Sequence, residues 1–174
     1  MVERFTHDAR AIVTPAVAEA ERRHDRCVGT EHVLLGAIAS PNAVTSAVMD
    51  ALGRDLPAAR QALDDADTAA LRAVGLGAEV VLPPASPVVD RSTSGRRSRW
   101  SRRHRPFTAG ARQALEGALR EAMARRHGWI GAEHVVPALC AREEPDPGVH
   151  LLDTLGTRAG DMRAELERRM AAAA

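Results

Sequence analysis

Residues 5–10 read Phe5-Thr6-His7-Asp8-Ala9-Arg10, and 102 positions later the chain reads Phe107-Thr108-Ala109-Gly110-Ala111-Arg112. The same offset pairs Ala16, Glu19, Ala20 and Arg23 with Ala118, Glu121, Ala122 and Arg125. It also pairs Gly29-Thr30-Glu31-His32-Val33 with Gly131-Ala132-Glu133-His134-Val135. About a dozen identities at one constant offset mark an internal duplication. The register then slips by one residue. Leu52-Gly53 matches Leu155-Gly156, and Arg60 and Leu63 match Arg163 and Leu166, as a one-residue loop insertion would produce.

Each copy reads as four helices. Thr6 is suited to an N-cap, because its hydroxyl can accept from a free amide of the first turn. The helix it starts runs to about residue 24, with Ile12, Ala16, Val17 and Ala20 on one face and Pro15 as a candidate kink. Thr30 is the expected cap of the second helix, with Glu31 in its first turn and Val33-Leu34-Leu35 and Ala37-Ile38 as its apolar filling. Ser40-Pro41 opens a third helix that ends at Gly53, and Asp55 caps a fourth that ends near Asp64. In the second copy the corresponding helices fall at about residues 108–127, 133–142, 148–155 and 158–170. The predicted fold is all-α, two four-helix repeats over residues 1–66 and 106–174. Residues 67–105 join them as an extended linker. Its first part, residues 67–80, has the composition of one more helix, broken at Gly75 and Gly77. Pro83-Pro84-Ala85-Ser86-Pro87 cannot continue a helix, and the Ser/Arg-rich residues 91–105 have no apolar period, which predicts disorder.

Composition agrees with helices. Aromatic residues make up 2% of the 174 residues and Tyr is absent, so the core must be aliphatic. The formal net charge of +1 gives the whole chain no bias toward nucleic acid or membrane. Its distribution is uneven. Seven of the 24 basic residues lie in residues 91–105 with no acid among them, leaving 17 against 23 acids elsewhere, a net of −6. Two cysteines, Cys27 and Cys140, are too few for a disulfide framework. The first ten residues are charged and carry no apolar signal segment. No apolar run approaches the roughly 18 residues of a membrane span, so a cytoplasmic protein away from membranes is expected, and with no ring-forming ATPase attached a monomer is expected.

Arg4-Phe5-Thr6 at the start, then Gly29-Thr30-Glu31-His32-Val33-Leu34-Leu35-Gly36, both repeated, resembles the N-terminal (Clp repeat) domain of Clp-type protein-unfolding ATPases, in its ClpC form. The resemblance covers nearly the whole chain except about residues 67–105. It implies a pseudo-twofold pair of four-helix repeats. It also implies a non-catalytic module that captures substrates and adaptors for protein degradation, here without the ATPase. The sequence contains no Lys, so a G-x-x-x-x-G-K-[ST] phosphate loop is impossible within it. The second copy departs from the pattern, with Ala132 at the position of Thr30 and Pro137 at that of Leu35.

The resemblance further implies one phosphoarginine site per repeat, at Thr6 and Glu31 in the first and Thr108 and Glu133 in the second. The chemistry is coherent: a helix start offers amides to the phosphoryl group, and a carboxylate takes the guanidinium as a fork. The same residues also read as ordinary caps and dipole partners. His32 and His134 read as structural, with no Ser or Cys nucleophile beside them. His24, Cys27 and His32 lack a fourth metal ligand, and their counterparts Arg126, Trp129 and His134 do not preserve the set, so neither metal nor cofactor is expected. Phe5 and Phe107, with Val2, are candidates for an apolar groove between the copies. Partners implied by the resemblance are arginine-phosphorylated or unfolded proteins, adaptors of Clp ATPases and cyclic-peptide antibiotics. The module would then serve as regulator, adaptor or decoy. A second reading rests on Trp100 among the arginines of residues 91–105: a nucleic-acid-associated regulator that grips phosphates and stacks bases.

Overall fold

The computed structural model describes residues 6–40, 42–76 and 105–172. Val2, Phe5, Pro41, Trp100 and residues 77–104 of the linker lie outside the described residues. The described chain forms α1 (His7–Arg22), α2 (Thr30–Ala39), α3 (Ala43–Leu52), α4 (Leu56–Ala73), α5 (Ala109–Ala124), α6 (Ala132–Cys140), α7 (Pro147–Thr154) and α8 (Ala159–Ala172). The fold is all-α, as the repeat pattern requires, and among the described residues no helix is long and apolar enough to cross a membrane.

The duplication is visible in the caps. Thr6 Oγ1 accepts from the Ala9 amide at 3.2 Å and Thr108 Oγ1 from the Ala111 amide at 3.1 Å. Both helices also end alike. His24 and Arg126 adopt left-handed backbone, φ 61° and 58°, and the next amides, of Asp25 and His127, return to the carbonyls of Ala20 and Ala122 at 2.9 Å. That pattern is a Schellman stop, built here without glycine.

α2 and α6 occupy the centre. Residues His32–Ile38 of α2 and His134–Cys140 of α6 are buried throughout, as expected for helices that are apolar on all sides. Ile12, Leu34, Leu35, Ile130, Leu151, Leu152, Met162 and Leu166 fill the core with aliphatic volume. α1 lies so close to α2 that a Cβ on Gly36 would fall 2.3 Å from the Ile12 carbonyl oxygen. In the second copy the counterpart is Ala138, and the small residue has moved to α5, where a Cβ on Gly117 would meet Ala138 Cβ at 3.3 Å.

Two prolines sit inside helices without breaking them. Each removes the amide that would bond the carbonyl four residues back. For Pro15 that carbonyl belongs to Ala11, and Ser40 Oγ donates to it at 2.5 Å. For Pro137 it belongs to Glu133, and Arg125 Nη1 donates to it at 2.8 Å. The expected disturbance of α6 is thus offset by one side chain.

Three boundaries differ from expectation. Ser40 does not open α3; it is the C-cap of α2, and α3 begins at Ala43. The N-cap of α2 is Gly29, not Thr30. Thr30 is the first helical residue, and its buried hydroxyl donates to Asp146 Oδ1 at 2.6 Å. α4 does not stop near Asp64; it continues as one helix to Ala73 and turns at Gly75, φ 80°. Arg23 accounts for part of this length, because its guanidinium bonds Asp64 and Asp67, one α4 turn apart. The α1–α4 contact is also locked by Glu19, which takes Arg22 at 2.9 Å and Arg60. The second copy repeats this with Arg163 donating to Glu121 at 2.7 Å. Burial pushes the Glu19 carboxyl up, but the hydrogen bonds from Arg60 and Arg22 outweigh it and leave the group below its ordinary value.

The repeats are interlocked. Val28 and Phe107 form a parallel bridge, with the Val28 amide donating to Pro106 O and the Thr108 amide to Val28 O, each at 2.9 Å. On the other side the Thr6 amide donates to Ile130 O at 2.9 Å. The segment leading into α5 therefore pairs with the loop before α2, and the start of α1 pairs with the loop before α6.

Candidate functional site

That exchange decides which residues meet. Glu31 and Thr108, from different copies, line one cavity of about 400 Å³. Thr6 stands instead beside Ile130, at the approach to α6 and Glu133. Glu31 thus shares its cavity with Thr108 of the other copy, and Thr6 lies at the approach to the helix that carries Glu133. Phe107 is half-buried against the core beside this crossing.

The cavity has two chemically distinct sides. On one side is the start of α5. Thr108 satisfies the Ala111 amide, whereas Ala109 and Gly110 lie in the first turn, where amides have no acceptor within the helix. Arg142 reaches this side. Its Nε bonds Asp146 Oδ2 and its Nη1 bonds Gln113 Oε1, both at 3.0 Å, and its Nη2 would lie 3.7 Å from a Cβ placed on Gly110. On the other side is Glu31. Its carboxylate folds back over Gly29, where a Cβ would fall 2.2 Å from Oε1. Oε1 is 2.9 Å from His32 Nδ1, and Oε2 is buried with no hydrogen-bond partner among the described residues. A buried carboxylate oxygen without a donor is costly to keep, and such a group calls for an explanation.

Asp146, also in the lining, joins the two sets of residues. Besides Thr30 and Arg142, it accepts the Gly148 amide at 3.0 Å as N-cap of α7. Gly148 is required there, since a Cβ would touch Thr30 Cβ at 3.0 Å. Sequence reasoning missed Arg142 and Asp146. The Asp146-Pro147-Gly148 triplet is a legible helix start, but its contact with Thr30, 116 residues away, leaves no local signal.

The two histidines are structural parts of the helix starts. His32 Nδ1 accepts from the Gly29 amide at 3.0 Å, taking the role a Glu or Gln plays in a capping box. Its proton is therefore on Nε2, which donates to Asp25 Oδ2 at 3.0 Å. His134 repeats the arrangement with the Gly131 amide at 3.0 Å, and its Nε2–H donates to His127 Nδ1 at 2.9 Å. Burial pushes the His134 pKa down. The neighbouring His127 and Arg125 act in the same direction, and Glu133 opposes them.

His127, Glu133 and His134 bring three potential metal-ligand atoms within 4.8 Å of one another. The polarity of the rings argues against a metal there. A metal-bound imidazole donates through its other nitrogen. His134 Nδ1 instead accepts from backbone, which places the proton on the nitrogen facing His127. His32 likewise spends both nitrogens on Gly29 and Asp25. Cys140 is no nucleophile at neutral pH, since burial pushes its thiol up to about 12.

The profile of the Clp repeat (R) N-terminal domain family matches residues 4–95, more than half of the chain. The chain belongs to that family. The Clp repeat domain is 29% identical over 168 residues to chaperone protein ClpC1, chloroplastic, of Oryza sativa subsp. japonica. That alignment takes in 97% of this chain and 15% of the relative. It is equally 29% identical to the chloroplastic ClpA homolog of the Clp protease ATP-binding subunit from Brassica napus, again over 97% of this chain and 16% of that one. The chain thus spans about 15% of the length of the curated relatives it matches. Its fold matches the N-terminal domain of the caseinolytic-protease-associated chaperone ClpD from Arabidopsis thaliana, with a TM-score of 0.67 and 20% identity. That match covers 98% of this chain and 99% of the other. A structure from a malarial protein secretion system matches with a TM-score of 0.58 and 13% identity over 95% and 94%.

Proposed function

We propose that this Clp repeat domain is a non-catalytic binding module of a Clp protein-degradation system, and that its Glu31–Thr108 cavity receives phosphoarginine on marked proteins. The observation that carries the reading is Glu31: a carboxylate with one buried oxygen that has no partner among the described residues, in a residue that lines a cavity together with a helix start. Phosphoarginine has the matching polarity. Its guanidinium supplies the donors that Glu31 Oε2 lacks, and its phosphoryl group suits the α5 amides, the positive dipole end and the nearby Arg142. Acting as regulator, adaptor or decoy, the module would bring such proteins to a Clp ATPase or hold them from it.

Calorimetric titration of free phosphoarginine into the chain tests this. Saturable binding is expected, and Glu31→Ala should weaken it at least tenfold, about 1.4 kcal/mol or more. Gly110→Val should also weaken it. A Cβ at that position already comes within 3.3 Å of Asp146 Oδ2, so added methyls occupy the space assigned to the phosphoryl group. Absence of binding by a folded chain would overturn the reading and leave Glu31 a helix-start residue only.

A further inference from the structure

Glu31 and Glu133 are equivalent in sequence but not in surroundings. Glu31 Oε2 is buried and has no partner among the described residues, whereas Glu133 Oε1 accepts from Trp129 Nε1 at 3.1 Å. The position of Trp129 is held in the first copy by Cys27, which has no comparable donor. Trp129 is half-exposed. Its ring stacks on His127 with centroids 4.9 Å apart and planes 13° from parallel. His127 is anchored in turn by the His134 Nε2–H, and the Glu133 carbonyl is held by Arg125. Both the carbonyl and the carboxylate of Glu133 are therefore engaged by side chains of its own copy.

We infer that the duplicated domain has one working ligand site. The Trp129 indole N–H occupies Glu133 in the manner of a ligand donor and keeps the second site closed. The Glu31–Thr108 site remains open. The inference rests on the phosphoarginine reading above. A guanidinium that takes Glu133 as a fork must share Oε1 with the Trp129 N–H or displace it, and displacement also disturbs the indole–imidazole stack. At Glu31 it displaces nothing of the kind. Among the sequence differences between the copies, the exchange of Cys27 for Trp129 is the one that brings an indole donor to the glutamate, and His127 in place of Asp25 supplies the ring on which it stacks.

The test is the stoichiometry of free phosphoarginine on the full chain, compared with Trp129→Phe and Trp129→Cys. Phe keeps an aromatic ring for the stack and removes the donor. Cys restores the residue of the first copy. A single ligand per wild-type chain and a doubled stoichiometry in both variants are expected. Glu133→Ala added to either variant should return the stoichiometry to the wild-type value. Far-ultraviolet circular dichroism checks that the variants keep their helices. Two ligands on the wild-type chain, or no increase in either variant while the wild type binds, overturns the inference and leaves the phosphoarginine reading standing. Weaker binding by Trp129→Phe also overturns it, since the indole would then be part of a ligand platform. No binding by any of these chains overturns both.

Discussion

Pro137 and Arg125 show how one residue substitutes for a backbone group. The carbonyl of Glu133 loses its helical donor to Pro137 and regains one from the Arg125 guanidinium. In the first copy Leu35 keeps its amide, and the equivalent Arg23 is free to reach the acids of α4. Removing Arg125 should leave an orphaned carbonyl in a part-buried setting, at a cost of about 1–3 kcal/mol. Arg125→Met retains much of the stem and removes the donors. Its cost in urea denaturation should shrink in a Pro137→Leu background, where the restored amide takes the carbonyl. Equal costs in both backgrounds would mean that Arg125 acts through its 3.5 Å ion pair with Glu121 instead.

At the scale of elements, the α1–α2 and α5–α6 contacts solve one problem in two ways. Gly36 lets α2 approach the α1 backbone, whereas Gly117 in α5 accommodates Ala138. Gly36→Ala places a Cβ against a carbonyl oxygen that cannot move without shifting α1, an overpacking cost of about 1–3 kcal/mol or more. Gly117→Ala meets one methyl at 3.3 Å, tighter than ordinary van der Waals contact, so Ala138 must give by a few tenths of an ångström. The gain in helix propensity from this substitution, about 1 kcal/mol, should offset most of the strain. Thermal denaturation of the two variants should therefore differ clearly, with Gly36→Ala the lower. Helix number, order and most ends were legible in the sequence, because caps and apolar periods are local. The Thr30 assignment failed for the opposite reason. A Thr at a helix start is locally a cap, and only the fold supplies Asp146 as its partner. Glu31 and Thr108 were legible as residues and their mutual pairing was not, since a repeat offset says which positions are equivalent and nothing about which ones touch. Trp129 carried a signal that was available: it breaks the repeat at a position beside a candidate ligand residue.

Over the whole molecule, the crossed bridges make each repeat complete the other. Phe107 pairs with Val28, Thr6 with Ile130, and Thr30 with Asp146. The two helix starts at the centre of this arrangement are latched differently, by the carboxylate of Asp25 on His32 and by the imidazole of His127 on His134. Only the second latch joins two imidazoles. His134 is held neutral in the fold, its pKa depressed below the ordinary 6.5 by burial and by His127 and Arg125, against the opposing pull of Glu133 and Glu121. The unfolded chain therefore binds a proton here at higher pH than the folded chain does. Stability should be fully retained above about pH 7 and fall as pH drops below 6.5, until the folded-state value is reached. The slope from this one group is at most about 1.4 kcal/mol per pH unit. Urea midpoints measured from about pH 7.5 to 5.5 should show that decline. In His134→Gln, whose side-chain carbonyl can still accept the Gly131 amide, it should be reduced. An equal decline in both proteins would assign the pH dependence to other histidines and leave the His127–His134 latch indifferent to acid.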